Sequence, residues 1–151
     1  MMYEVEMELA EYLRSLLEDF DIIDKNKLIL DLKDIKMVLK VIKEISLSEG
    51  KNISEIEIIK EEINICNDSK LKTGTKIIYL MNHIGDLLLD ESQDSKVFSR
   101  TFVMPREMFM KKVNEFSNHD VTNKIYKLEE SFQVELNDVV GRTKDLKLMN
   151  F

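Results

Sequence analysis

Four glycines and one proline are all that interrupt a chain of 151 residues, about a quarter of the share found in average proteins. Glycine supplies the left-handed backbone of tight turns and proline fixes φ in loops, so a chain nearly without them predicts helices joined by short connections. Collagen-like, propeller and linker-rich architectures are excluded. The length suits one domain, or one with a small appendage, and not two full cores. With 44% hydrophobic and 34% charged residues, the chain has enough apolar surface to fold.

The formal net charge is −7, and it is uneven: residues 1–75 carry 11 basic and 17 acidic side chains, whereas residues 76–151 carry 11 and 12. A nucleic-acid binder needs a basic stripe to meet phosphates, and none stands out along the chain, so nucleic acid is not the expected partner. No apolar run approaches the roughly 18 residues of a membrane span, and the first residues lack the apolar centre of a signal peptide. The single cysteine, Cys66, forms no internal disulfide, which points to a reducing cytoplasm. Abundant isoleucine, lysine and asparagine suggest an AT-rich bacterial or phage gene.

Val5, Leu9, Tyr12, Leu13, Leu16, Leu17 and Phe20 recur at three- and four-residue steps and predict an opening helix. A second helical stripe runs through Leu32, Ile35, Leu39, Ile42 and Ile45, completing an N-terminal helical segment over residues 1–50. Residues 51–120 form the expected core. Within it, the isoleucine-rich stretch Ile53 to Cys66 has the alternation of two short strands, Asn67 to Thr75 is a polar loop, and Ile77 to Leu89 is apolar enough for a buried helix. Val97 to Met104 is a further helix ended by Pro105, and Glu107 to Phe116 another. Residues 121–151 read as helix, tight turn, helix. The fold class expected from these elements is α+β, mostly helical, with a small β-sheet.

Catalytic residue types are scarce. Gly74 in the stretch KTGT lacks the spacing of a phosphate loop. Cys66 reads as a small core residue, and His119 as a solvated loop residue. The informative region is MNHIGDLLLD at 81–90, followed by DSKVFSRTFVMPREMF at 94–109. Gly85, Leu87, Leu88, Leu89, Phe98, Phe102, Val103, Met104, Pro105 and Phe109 in this order resemble the ImmA/IrrE family of zinc metallopeptidase-like proteins. There, an H-E-x-G-H-x-L-L helix precedes a helix ending F-x-x-x-F-L-M-P. The resemblance continues through IYKLEESFQVELNDVVGRTKDLKLM at 125–149, similar to the family's C-terminal helix-turn-helix-like segment, and covers roughly residues 53–149.

That resemblance implies a zincin-like core with a strand pair ahead of the active-site helix. It also implies that the zinc-ligand positions fall on Asn82 and Asp86, the catalytic glutamate position on His83, and the third ligand near Asp94. An H-E-x-x-H helix works because two imidazoles four residues apart share a face and the glutamate activates the bound water. Asn82 and Asp86 supply neither imidazole, and His83 lies about 100° away from the ligand direction. No zinc is therefore expected, a weak oxygen site for Mg²⁺, Mn²⁺ or Ca²⁺ is the most the residues offer, and Asn82 and Asp86 are expected to hydrogen-bond each other.

The resulting expectation is a pseudo-metallopeptidase that binds a protein, such as a helix-turn-helix repressor of a phage or mobile element, or a defence protein. The alternatives are a hydrolase using an Asn82, Asp86 and Asp94 metal site with His83 as base, and DNA binding through the C-terminal helices. The oligomeric state and any role of residues 1–50 are left open.

Overall fold

The structure is a computed structural model that describes residues 3–49, 53–67 and 70–148. Its elements are α1 (Glu4–Asp19), α2 (Leu32–Glu49), α3 (Ile53–Asn67), α4 (Thr73–Leu88), α5 (Ser95–Val103), α6 (Arg106–Glu115), α7 (Val121–Phe132) and α8 (Leu136–Asp145). Among the described residues there is no strand, and no helix is long and apolar enough to cross a membrane.

The absence of a sheet corrects the expected α+β class. The strand pair proposed over Ile53 to Cys66, and with it the small sheet of a zincin-like core, is replaced by helix α3. The strict alternation of glutamate and isoleucine covers only residues 55–58. From there the buried positions are Ile59, Ile63 and Cys66, spaced four and three apart, which is one helical face. α3 packs on α2 and α4, and burying that face against two helices overrides the strand preference of isoleucine. Cys66 is 3% exposed; burial, then the nearby Glu62, pushes its thiol pKa up, away from nucleophilic chemistry.

α4 and α5 form the centre. α4 buries Ile77, Ile78, Leu80, Met81, Ile84 and Gly85, and α5 buries Val97, Phe98, Phe102 and Val103. A Cβ on Gly85 would stand 2.9 Å from Phe98 Cδ1 and 3.0 Å from Ser95 Cβ, so the missing side chain is what lets the two helices approach this closely.

α1 is rotated from the face its hydrophobic pattern predicts. Its buried residues are Glu6, Ala10, Leu13, Arg14 and Leu17, while Val5, Tyr12 and Phe20 are exposed. The reason lies at the two ends of α5. Glu6 Oε2 accepts the Asp94 N–H at 3.1 Å at the start of α5. Arg14 Nη1 donates to Phe102 O at 2.6 Å and Val103 O at 3.2 Å at its end. The spacing from Glu6 to Arg14 equals that from Asp94 to Phe102, so α1 lies parallel to α5, with its anion at the positive end of the α5 dipole and its cation at the negative end.

The end of α5 needs this help because Pro105 has no N–H for the Thr101 carbonyl, and the Arg106 N–H is taken by Glu11 Oε1 at 2.9 Å. Arg142 of α8, fully buried, completes the cap by donating to Met104 O at 2.9 Å and to Thr101 Oγ1 at 3.0 Å. Arg14 also donates to Lys27 O. Burial lowers the pKa of each arginine to about 10, and both stay charged at neutral pH.

α7 and α8 meet at Gln133, whose φ of 53° is left-handed. The start of α4 docks on this turn: Gly74 N–H donates to Gln133 O at 2.7 Å, Thr75 Oγ1 donates to Asp138 Oδ2 at 2.7 Å, and Glu135 N–H donates to Thr75 Oγ1 at 2.9 Å.

Candidate functional site

α4 carries three of the four positions singled out by the sequence, and each side chain there has a separate occupation. Asn82 faces α5, where its Oδ1 accepts from Ser99 Oγ at 2.6 Å. Ser99 is fully buried and its hydroxyl lies 3.0 Å from Lys96 O as well. Asn82 thus pairs with Ser99, and the expected hydrogen bond between Asn82 and Asp86 is not formed. Asp86 is exposed. His83 packs edge-on against Tyr79, with ring centroids 5.0 Å apart and an interplanar angle of 84°.

Asp94, the fourth position, is the N-cap of α5; its Oδ1 accepts the Lys96 N–H at 2.9 Å. A carboxylate in this role satisfies an orphan donor and faces the positive end of the helix dipole. The four positions therefore do not converge. Among the described residues, no group of three or more His, Cys, Asp or Glu side chains is arranged to hold a metal ion. Beside these positions lies a hollow of about 230 Å³, lined by His83, Asp86 and Leu87 of α4 and by Ile58 and Ile59 of α3. α3, standing in place of the expected strands, fills that side of α4.

The second helix of the C-terminal pair is equally committed to internal contacts. α8 turns Val139, Arg142 and Asp145 inward. Asp145 receives a two-pronged ion pair from Arg100 of α5 at 2.8 and 2.9 Å, and Arg142 caps α5. What α8 leaves outward is Leu136, Asn137 and Lys144, too little positive charge to hold a phosphate backbone. His119 is exposed and stacks on Phe116 at 5.8 Å.

Larger concave surfaces lie elsewhere. A groove of about 790 Å³ runs between α1 and the start of α6, with Glu11, Glu18, Arg106, Glu107, Met108 and Lys111 along it. A second hollow, of about 530 Å³, sits between α2 and α3 and is ringed by Lys36, Lys40, Lys43 and Lys60, with Glu44 among them. No basic stripe was expected from the sequence, yet Lys33, Lys36, Lys40 and Lys43 fall at steps of three and four on α2. The spacing was legible, but the surplus of acids over residues 1–75 masked it. Arg14 and Arg142 had a comparable signal, since each lies within an apolar helical stripe where only a buried partner justifies a charge.

No family model, no curated protein and no solved structure matches this chain.

Proposed function

We propose that this chain is a non-catalytic regulator that works by binding a protein, with a helix-turn-helix repressor or defence protein of a phage or mobile element as the partner class. The resemblance to the ImmA/IrrE family enters this reading only through the helices from α4 onward, where the matched residues lie; the strand pair has been replaced by α3. One observation carries the proposal. The positions that would have to converge for metal-dependent hydrolysis each serve a different contact: Asn82 with Ser99, His83 with Tyr79, Asp94 at the α5 N-terminus, and Asp86 facing solvent. In this reading the surface features that act on another molecule are the open grooves. The compartment in this reading is the cytoplasm of a bacterium.

The deciding experiment pairs two measurements on protein purified without chelators or an affinity-tag metal. Elemental analysis is expected to find less than about a tenth of an equivalent of any divalent metal, with Asp86→Ala indistinguishable from the parent. Titration against helix-turn-helix repressors encoded alongside it is expected to give saturable binding and no cleavage. Close to one equivalent of metal, lost in Asp86→Ala, would overturn the non-catalytic assignment, and failure of every such repressor to bind would overturn the partner class.

A further inference from the structure

The hollow between α2 and α3 is chemically unlike the rest of this acidic molecule. Lys36 and Lys40 project from α2, Lys43 from its next turn and Lys60 from α3, around a floor formed by Leu39 and Ile63, with Glu44 and Asn64 completing the lining. Leu39 and Ile63 are 2% and 3% exposed, so the walls are mainly the methylene stems of the lysines, with the ammonium groups at the rim. Lys33 extends the row, which then spans ten residues, about 15 Å of helix.

Like charges three and four residues apart repel, and Glu44 on the same lining and Glu57 at its rim offset them only in part. Glu57 lies 3.6 Å from Lys43 and 3.2 Å from Lys60, whereas Lys36 and Lys40 make no ion pair among the described residues. Four lysines against Glu44 and Glu57 leave this rim net positive in a chain of net charge −7, which favours an anionic occupant here.

The chemistry of the rim selects among anions. Nucleic acid is read and gripped with arginine forks and aromatic stacking, and this hollow has neither, while the acidic remainder of the surface repels a phosphate backbone. Lysine point charges spaced along one helix, above apolar stems, match carboxylates spaced along another helix with an apolar side chain between them.

We propose that the hollow is a docking surface for an acidic amphipathic helix of a partner protein, whose apolar anchor seats between the lysine stems over Leu39 and Ile63 while its Asp and Glu side chains meet Lys36, Lys40, Lys43 and Lys60. This assignment rests on the protein-binding reading given above and supplies its surface and partner chemistry. The volume of about 530 Å³ lies within the range of pockets that enclose small ligands, enough for an anchoring side chain.

The test uses the full chain and a fluorescein-labelled helical peptide of about sixteen residues, with leucines on one face and glutamates on the other. A second peptide of identical composition has the leucines dispersed around the helix. The first peptide is expected to bind, to weaken as salt rises from about 50 to about 500 mM, and to exceed the second by about tenfold. Lys36→Glu/Lys40→Glu is expected to weaken it about tenfold or more. The single neutralisation Lys40→Gln should fall between, and Lys111→Glu/Lys112→Glu on α6 should leave binding unchanged. Lys36, Lys40 and Lys111 are exposed and Lys112 partly so, and circular dichroism checks that each variant is folded.

Equal binding of the two peptides, undiminished binding by Lys36→Glu/Lys40→Glu, or tighter binding of a DNA duplex than of the amphipathic peptide would overturn the assignment. So would concentration-dependent self-association lost in that variant, which would make the occupant a second copy of this chain. A repressor that binds the parent and Lys36→Glu/Lys40→Glu equally would remove this surface and leave the protein-binding reading intact. Peptide capture with no repressor bound would keep this surface and overturn only the repressor partner class.

Discussion

Gly74→Ala sets two effects of opposite sign against each other. Gly74 lies in the first turn of α4, where helix propensity alone credits alanine with up to about 1 kcal/mol over glycine. The tertiary structure reverses that expectation. A Cβ at this position would press into the Phe132 carbonyl oxygen and stand 2.6 Å from Gln133 O and 2.7 Å from Val134 Cγ1. Two of these three atoms are backbone, so the clash is relieved only by moving the start of α4 away from the turn between α7 and α8. Overpacking of this kind costs about 1–3 kcal/mol. The same movement stretches the Gly74 to Gln133, Thr75 to Asp138 and Glu135 to Thr75 hydrogen bonds, each worth about 0.5–1.5 kcal/mol. The net expectation is a loss of about 2–5 kcal/mol after subtracting the propensity gain. Urea unfolding followed by circular dichroism measures it, with an unchanged slope showing that stability rather than compactness has altered. An alanine variant as stable as the parent, or more so, would refute the close docking of α4 on the C-terminal turn.

Arg14→Met is expected to destabilise by about 2–4 kcal/mol, because the carbonyls of Phe102, Val103 and Lys27 lose their donor, partly offset by no longer burying a charge; thermal unfolding reads it, and a rise in midpoint would sink the capping role. Asn82→Ala is expected to cost only about 0.5–1.5 kcal/mol, since the buried Ser99 hydroxyl keeps Lys96 O, and to leave repressor titration and metal content unchanged; a bound metal equivalent in the parent that this variant loses would revive the hydrolase alternative. Asp94→Ala removes the α5 N-cap and is expected to lower stability by about 1 kcal/mol in the same unfolding assay. Asp31 gives an acid-side prediction: burial pushes its carboxyl up, but hydrogen bonds from the Asp34 N–H and from Lys27 outweigh burial and hold the pKa below its ordinary value. A lowered folded pKa contributes stability that is complete above the unfolded pKa and is lost as pH falls through the folded one, so Asp31→Asn should flatten the stability decline below about pH 4. An unchanged acid limb in a pH series of urea midpoints would count against the contact.

The sequence by itself determined most of the helices, but not the all-helical class, since it pointed to strands at 53–66. Five breakers in 151 residues and apolar repeats at steps of three and four are local properties, and they fixed the helical stretches that became α1, α2 and α4 to α8, together with the stop at Pro105. It also placed residues 82 and 86 on one side of a helix and 83 about 100° away, because spacing along a helix fixes which side chains share a face. Tertiary structure decided the rest. Isoleucine and glutamate at 53–66 suit either a strand or a helix locally, and only the faces offered by α2 and α4 selected helix. The partner of Asn82 could not be read from the chain because Ser99 comes from the next helix, and helix-to-helix rotation is set by packing rather than by periodicity. Likewise, α1 turned Arg14 and Glu6 inward and left Tyr12 in solvent, since the unsatisfied backbone at both ends of α5 outweighed the burial of one more aromatic ring.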